Sequence, residues 1–323
     1  MMTGLPKRTT SGAGAERSRP GLEMHFGTEV AAARRKAAPV LALESTIIAH
    51  GLPRPRNLEV ARELEEIARS EDVTPATIAV LDGVVHIGLD DEDLERVTAG
   101  NDIRRLGRRD VAPALALSQS GATTVSATAW LAAQAGIRVF ATGGLGGVHR
   151  GYGESMDEPA DLAVLAVTPV TVVSAGVKSI LDVEATLERL ETLSVTVLGF
   201  KTDTFPGFYI SNTGLPVDWT VSWPAEIAEV MGQQDALGIE GAILVANPVP
   251  EDQQLDPGLH DRAIAESLRA AQAQGVSGQA ITPFLLDRLV EVTGGASLEA
   301  NLAAIRNNVL LGARIAHAFA ARH

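Results

Sequence analysis

The chain has 323 residues and a formal net charge of −13, and 46% of it is hydrophobic although only 4% is aromatic. This acidic balance argues against non-specific nucleic-acid binding but leaves room for a local phosphate site. Because the chain has no cysteine, disulfides, thiolate metal sites and cysteine nucleophiles are excluded. No apolar run reaches the roughly 18 residues of a membrane span, so we expect a cytoplasmic protein that binds neither nucleic acid nor membrane.

The first residues, 1–23, are polar, basic and rich in Gly, Ser and Pro. They lack the apolar centre of a secretory signal, and such a composition buries too little apolar surface to fold. We therefore predict a disordered tail over 1–23 and one folded domain over 24–323.

Short apolar, β-branched runs alternate with longer segments of helical period in the rest of the chain. The runs predict strands at 39–44, 77–82, 137–142, 170–174, 195–200 and 242–246. The segments predict helices at 57–70, at 122–135, from about Ser179 onward, and at 258–274, 283–293 and 297–320. This alternation predicts an α/β fold, a three-layer α/β/α sandwich with a large mixed, mostly parallel central sheet.

Ligands of such folds bind beyond the carboxyl ends of the strands. Polar or glycine-rich segments follow several predicted strands directly, at 44–46, 143–151, 176–178, 201–203 and 247–248. The functional site is therefore predicted among these segments.

Glu44 ends the first predicted strand, in "LALESTIIAHGLP". A carboxyl group so deep in the fold should have a raised pKa, and it could then act as a general acid or base. It could equally accept backbone N–H groups of the next turn, so position alone leaves both roles open.

Four arginines, Arg104, Arg105, Arg108 and Arg109, form a basic cluster in this acidic chain. Guanidinium groups suit phosphate ligands. The alternative is a solvated face whose charge is balanced by the acidic run at 90–95.

The segment "TGGLGGVHRGYGESMDEPADL" at 142–162 fits neither the Walker loop nor the Rossmann fingerprint. Its glycines let the backbone approach a ligand closely. His149, Asp157 and Asp161 fall close together in it, and carboxylates with water suit a hard divalent cation such as Mg²⁺ or Mn²⁺. A solvated acidic loop is the alternative interpretation.

Lys178 lies in "VVSAGVKSILD", between a strand end and a predicted helix start at which Ser179 and Asp182 would form a capping pair. Burial and the positive end of a helix would both lower the pKa of this lysine. The free amine could then add to the carbonyl of a sugar and form an imine. The alternative is a lysine that reaches solvent or pairs with a carboxylate.

Together these stretches resemble the pseudouridine-5′-phosphate glycosidase family, also called the indigoidine synthase A-like family. The resemblance runs from about Pro39 to Ala316. It rests on six motifs in one order: "ALESTIIAHGLPRPRN", "GATTVSATAWLAAQAGIRVFATGGLGGVHRG", "SAGVKSILD", "TDTFPGFY", "ANPVPE" and "TPFLLDRLVEVTGGASLEAN".

The resemblance implies a lyase that reversibly cleaves the C–C glycosidic bond of pseudouridine 5′-phosphate to uracil and ribose 5-phosphate. It also implies one Mn²⁺ per subunit and a homotrimer. By the same resemblance Lys178 is the imine-forming nucleophile, Glu44 is the proton-transfer residue and Asp157 is the metal ligand. A lysine suits this bond, because a C–C glycosidic bond offers no leaving oxygen for the carboxylate pair of O-glycoside hydrolysis.

The resemblance further implies a set of substrate-binding residues: Arg105, Val125, His149, Pro159, Ala160, Asp161 and Asn301. Two of them depart from the family pattern, since Arg105 stands where a lysine is frequent and Pro159 where a serine is usual. Proline has neither a hydroxyl nor an N–H group, so a contact to phosphate or to metal-bound water would be lost.

Two other functions stay open at this stage. One is a different imine-forming phosphosugar enzyme of aldolase type on the same scaffold, and the other is a non-catalytic helper in the biosynthesis of the pigment indigoidine. Borohydride trapping of a sugar on Lys178 would separate the enzymes from the helper, and release of uracil would separate the two enzymes.

Overall fold

The computed structural model describes residues 22–276 and 281–322. Within these ranges eleven strands form one sheet. They are β1 (Met24–Phe26), β2 (Val40–Glu44), β3 (Thr74–Leu81), β4 (Val84–Ile87), β5 (Arg104–Leu106), β6 (Gly121–Thr123), β7 (Val139–Ala141), β8 (Thr171–Ser174), β9 (Thr196–Phe200), β10 (Trp219–Val221) and β11 (Ile243–Ala246).

The main path through the sheet runs β1-β4-β3-β2-β7-β8-β11-β9-β10, and β6 joins β3 to β5 at the side. Among these strands β3 pairs antiparallel with β4 and β6, whereas the other pairs are parallel. Both β2 and β8 pair with β7, so their carboxyl ends lie at one edge. The predicted large mixed, mostly parallel sheet is confirmed.

Thirteen helices are found in the described part of the chain. They are α1 (Thr28–Arg35), α2 (Thr46–His50), α3 (Arg56–Ser70), α4 (Asp91–Ala99), α5 (Arg108–Ala116), α6 (Val125–Gln134), α7 (Tyr152–Ser155), α8 (Ala160–Leu165), α9 (Val183–Thr192), α10 (Pro224–Leu237), α11 (Pro257–Ala273), α12 (Ile281–Val292) and α13 (Ala296–Ala320). None of them is both long enough and apolar enough to cross a membrane.

Successive side chains of a strand point to opposite faces of its sheet, and β2 shows the result. Leu41 and Leu43 belong to a core shared with α3 and α13, whereas Ala42 belongs to a second core shared with α6 and α8. The sheet is therefore covered by helices on both faces, and the predicted three-layer α/β/α sandwich is confirmed.

The tight hairpin between β3 and β4 escaped the sequence prediction. Asp82 and Gly83 link the two strands with φ values of 49° and 79°, as a type I′ turn requires. The Asp-Gly pair was a readable hairpin signal, but it lies at the edge of the predicted strand 77–82.

The predicted helix start near Ser179 was wrong. Helix α9 begins at Val183, and Asp182 is its N-cap, because the Asp182 side chain accepts a hydrogen bond of 3.0 Å from the backbone N–H of Ala185. Ser179 and Asp182 therefore do not form a capping pair, and Lys178 lies in a turn before the helix. Residues 1–21 of the predicted tail lie outside the described residues, and the single domain stays a prediction.

Candidate active site

Three neighbouring parallel strands, β2, β7 and β8, end at the site. Glu44 is the last residue of β2, Thr142 follows β7, and the chain after β8 leads to Lys178. The glycine-rich segment crosses this edge, where Leu145 donates its backbone N–H to Gly176 at 2.9 Å and accepts from the N–H of Lys178 at 3.2 Å. The fold thus brings together a carboxyl group and an amine that lie far apart in sequence.

Gly176 makes this crossing feasible. Its φ of 88° lies in the left-handed region, and a Cβ atom at this position would collide with the backbone carbonyl of Pro206. Only glycine satisfies both demands, so the turn that carries Lys178 depends on it.

Burial governs the charges of the Glu44–Lys178 pair. Burial raises the pKa of the Glu44 carboxyl above its usual value, although the nearby Lys178 ammonium opposes that rise. Burial likewise lowers the pKa of Lys178 below its usual value, against the opposing effect of the Glu44 and Asp161 carboxylates. Of the two causes predicted from the sequence, burial therefore operates, whereas the helix end lies several residues away.

Thr142 and Asn308 fix the part of the site around the Glu44 carboxyl group. The Thr142 hydroxyl donates to Glu44 Oε1 at 2.7 Å, and this hydrogen bond favours the ionised carboxylate. The buried Asn308 amide donates to the carbonyls of Thr142 at 2.7 Å and Gly143 at 3.1 Å, and its own oxygen accepts from Asn247 at 2.9 Å. Neither Thr142 nor Asn308 was predicted, and only the place of Thr142 after a predicted strand could have indicated it.

Asp161 is 8% exposed and is already engaged by the backbone. Its Oδ1 accepts from the N–H of Ser126 at 3.0 Å, and its Oδ2 accepts from the N–H of Gly146 at 3.2 Å. Its negative charge still acts on both Glu44 and Lys178. The structure therefore places this predicted residue in the site, with an additional role in joining α6 to the glycine-rich segment.

Pro159 and Ala160 precede Asp161 at the start of α8. Pro159 is the N-cap residue, with φ of −71°, and it has no side-chain capping hydrogen bond. A Cβ atom on Gly146 would lie 2.9 Å from Pro159 Cγ, so the proline ring packs closely against the glycine-rich segment. The exposed Ala160 begins the helix.

Arg105 lies on β5 with an exposed side chain, and its positive charge acts on both Glu44 and Lys178. Val125 is the first residue of α6 and its side chain is buried in the core, which leaves only its backbone for contact with a ligand. The structure thus brings the charge of Arg105 to the predicted site.

The other arginines of the basic cluster have separate surroundings. The Arg108 guanidinium lies 5.5 Å from the centre of the Trp130 ring, and Arg109 pairs with Asp110 at 3.6 Å. Two residues of the acidic run at 90–95, Asp91 and Glu95, pair with Arg62 rather than with this cluster.

Asn301, in the second turn of α13, carries a buried side-chain oxygen with no hydrogen-bond partner among the described residues. A Cβ atom on Gly143 would lie 3.2 Å from this oxygen, which places it beside the glycine-rich segment. A buried acceptor without a donor costs free energy, so a donor on a ligand would relieve that cost.

Asp157 and His149 approach each other at the other end of the glycine-rich segment. The His149 backbone N–H donates to the Asp157 carbonyl at 3.1 Å, while His149 Nδ1 and Asp157 Oδ2 lie 3.9 Å apart. No group of three or more His, Asp or Glu side chains suited to a metal occurs in the described ranges. One partly exposed carboxylate beside an imidazole still fits a divalent cation that keeps most of its ligands as water.

The fold and the site together define an α/β protein in which a half-buried lysine faces carboxylates beyond the C-terminal ends of parallel strands. A family model described as indigoidine synthase A like protein matches residues 29–318. A Streptomyces griseus protein named pseudouridine-5′-phosphate glycosidase is 61% identical over 320 residues, which are 98% of this chain and 99% of that relative. A protein of the same name from Caldanaerobacter subterraneus is 49% identical over 288 residues, with 89% and 94% covered.

Two solved structures share the fold. The prealnumycin C-glycosynthase AlnA, in complex with ribulose 5-phosphate, has a TM-score of 0.87 at 33% identity, and the match covers 94% of this chain and 99% of the other. An indigoidine synthase A-like protein from Thermotoga maritima has a TM-score of 0.82 at 36% identity, with 91% and 96% covered. This chain belongs to the indigoidine synthase A-like family. The predicted resemblance is confirmed, and so is the prediction of an enzyme, since the relatives are named as glycosidases.

Proposed function

We propose that this enzyme reversibly cleaves the C–C glycosidic bond of pseudouridine 5′-phosphate and releases uracil and ribose 5-phosphate. The observation that carries the proposal is the half-buried Glu44–Lys178 pair, in which burial lowers the pKa of the amine and raises the pKa of the carboxyl. Relatives that are named for this activity match the chain over nearly its whole length.

Lys178 supplies the nucleophile. Its uncharged amine forms a bond to C1′ while the bond from C1′ to the ring oxygen O4′ breaks; O4′ takes up a proton and the lysine nitrogen gives one up, so the opened ribose carries the lysine as a secondary amine at C1′. The nitrogen lone pair then forms an iminium with C1′ as the C1′–C5 bond breaks, and C5 of uracil takes up a proton. Water adds to the iminium, which releases ribose 5-phosphate and the free amine. Overall one water is consumed.

Glu44 moves the protons. A carboxyl group whose pKa is raised by burial keeps its proton to higher pH than an exposed one, as a general acid should. We infer that Glu44 protonates O4′ as the ring opens. Thr142 fixes the orientation of this carboxyl group through its hydrogen bond of 2.7 Å to Oε1.

The remaining polar groups bind the anionic substrate in this proposal. Arg105 offers the positive charge that a phosphate requires, and the unpaired oxygen of Asn301 can accept from a hydroxyl or an N–H group of the ligand. The first turn of α6, at Val125, and the 159–161 segment line the substrate. Pro159 offers no donor there, so Arg105 has a larger share in phosphate binding than in relatives with a serine.

Asp157 is the residue that we propose to hold Mn²⁺, one ion per subunit, with His149 beside it. When bound, such an ion supplies positive charge next to the anionic substrate. We further propose that the enzyme is a cytoplasmic homotrimer, and sedimentation equilibrium would test its mass.

The decisive experiment is uracil release from pseudouridine 5′-phosphate by the purified protein with Mn²⁺, followed by absorbance. Lys178→Ala should lower the rate by more than about 10³-fold, since the nucleophile is lost. Lys36→Ala, which alters an exposed lysine at the end of α1, is the matched control and should retain activity. Absence of uracil from the unaltered protein would remove the proposal.

A second candidate is C-glycoside or phosphosugar chemistry with a different base or acceptor. It is favoured by one observation, the fold shared with a C-glycosynthase in complex with ribulose 5-phosphate. Borohydride trapping of ribose 5-phosphate on Lys178 without any release of uracil would support this candidate. Absence of both reactions would contradict this candidate as well.

A further inference from the structure

The turn that carries Lys178 is held on one side by the glycine-rich segment. The backbone N–H of Asp182 donates to Val148 at 2.9 Å. The Arg150 guanidinium donates to the carbonyls of Ser179 and Ile180, each at 3.3 Å. These contacts fix the backbone of the turn, but they do not involve the Ser179 side chain.

The Ser179 hydroxyl instead contacts a buried histidine from the opposite side of the turn. His260, in the first turn of α11, places Nε2 at 2.7 Å from Ser179 Oγ and Nδ1 at 3.0 Å from Asp261 Oδ1. Ser179 is 5% exposed and His260 is 6% exposed. Because the Asp261 carboxylate can only accept, we assign the proton of the neutral imidazole to Nδ1, and in this tautomer the Ser179 hydroxyl donates to Nε2.

We propose that His260 is a positioning residue for Lys178, acting through the hydroxyl of Ser179. Ser179 is the next residue after Lys178, so a rotation of that turn moves the amine directly. The contact ties the turn to α11, an element that contributes none of the catalytic groups proposed above. The effect on catalysis rests on the proposed function, whereas the effect on the lysine does not.

A misplacement of a reacting group by about 1 Å can cost about 10²-fold in rate. One neutral hydrogen bond is worth roughly a tenfold change in an equilibrium. We therefore expect loss of this contact to lower the reactivity of Lys178 about tenfold near neutral pH. A loosened turn admits water to the ammonium, and burial then no longer lowers its pKa so far.

Three variants test the contact. Ser179→Ala removes the donor, His260→Leu removes the acceptor at similar volume, and His260→Gln retains an amide oxygen that can accept. Ser267→Ala is the matched control, because Ser267 is a buried serine of the same helix α11 whose hydroxyl has no partner among the described residues. The double variant Ser179→Ala/His260→Leu tests whether the two residues act as one unit.

Two measurements are made on each variant well below its melting temperature. The rate of acetylation of Lys178 by acetic anhydride, followed by peptide mass spectrometry against pH, reports on the amine without any substrate. The kcat of uracil release reports on catalysis. Ser179→Ala and His260→Leu should each lower the acetylation rate and kcat about tenfold and shift the acetylation profile to higher pH. The double variant should lose no more than either single variant. His260→Gln should restore most of the rate, and Ser267→Ala should change neither rate.

A lowered melting temperature with an unchanged acetylation profile and an unchanged kcat would overturn the proposal. The contact between Ser179 and His260 would then only stabilise the fold. If His260→Leu fails to fold, Ser179→Ala decides, since it removes only a hydroxyl. If the unaltered enzyme releases no uracil, the proposed function fails, and the acetylation profiles still decide the role of His260.

Discussion

Glu44 at the end of β2 is half-buried and Glu65 on α3 is buried, and burial raises the pKa of each carboxyl group. Each accepts a hydrogen bond of 2.7 Å from a threonine hydroxyl, from Thr142 and from Thr77 respectively. They differ in the cation that faces them. Glu44 faces Lys178, whereas Glu65 contacts Arg69 at 3.1 Å, and Arg69 also binds Glu29 on α1 at 3.1 Å.

The identity of the cation decides whether the glutamate has a structural or a catalytic role. An arginine stays protonated in proteins, and its planar fork suits two carboxylates at once, so the Glu65 cluster joins α3 to α1. A lysine shifts its pKa readily when it is removed from water, and burial lowers the pKa of Lys178 although the Glu44 carboxylate opposes that shift. Burial of a glutamate alone therefore does not identify a catalytic site. A neighbouring cation that can lose its proton, as Lys178 can, is the better indication.

The largest expected effect comes from replacing each glutamate by glutamine. Glu44→Gln should lower kcat about 10²- to 10⁴-fold, as expected for loss of a general acid, with little change in stability. Glu65→Gln should leave kcat within about twofold and alter the free energy of unfolding. Steady-state kinetics and urea unfolding of both variants measure this contrast. Equal losses of kcat in the two variants would show that the distinction between them is wrong.

The layered fold could be predicted because its central strands are continuous apolar runs. Strands β2, β8, β9 and β11 were each found within about two residues of their limits. The strands β1, β5, β6 and β10 have only three residues each, too few for a periodic pattern, and they depend on neighbours in the sheet. The helix after Lys178 started later than predicted because Asp182, not Ser179, caps it.

The site could be predicted only in part. Glu44 ends β2 and Lys178 lies in the segment that follows β8, where the sequence of an α/β fold indicates ligand contacts. The amide of Asn308, in contrast, reaches the carbonyl of Thr142 from the middle of a long helix, and no spacing in the chain indicates such a contact. The roles of Asp157 and His149 in holding a metal stay predictions.

A smaller effect is expected from the two threonines. Thr142→Val removes a hydrogen bond that favours the Glu44 carboxylate, so the pKa of Glu44 should rise further. The pH at which this general acid loses its proton, read from the basic limb of the kcat profile, should move to higher pH. A profile of kcat against pH that is identical to that of the unaltered enzyme would contradict this assignment of Glu44.

Thr77→Val should act on stability rather than on the kcat profile. The folded-state pKa of Glu65 lies above its unfolded value of 4.5, so the folded protein binds the extra proton, and stability falls as pH rises from 4.5 through the folded pKa. Loss of the Thr77 hydrogen bond raises that pKa and extends the fall to higher pH. Urea unfolding at a series of pH values from 4.5 upward measures this pH dependence of stability. Glu65→Gln is the control, because its side chain does not titrate.

The smallest expected effect concerns two helix caps. Asp182 caps α9 beside the Lys178 turn, and Asp90 caps α4 by accepting from the N–H of Asp93 at 2.9 Å. Replacement of either by alanine should cost about 1 kcal/mol in the free energy of unfolding. Asp182 also donates its own N–H to Val148, and alanine keeps that backbone bond, so the turn should hold and Lys178 should be acetylated at nearly its normal rate in both variants. A large change of that rate in Asp182→Ala alone would mean that the cap, rather than the contacts of the turn itself, positions the amine.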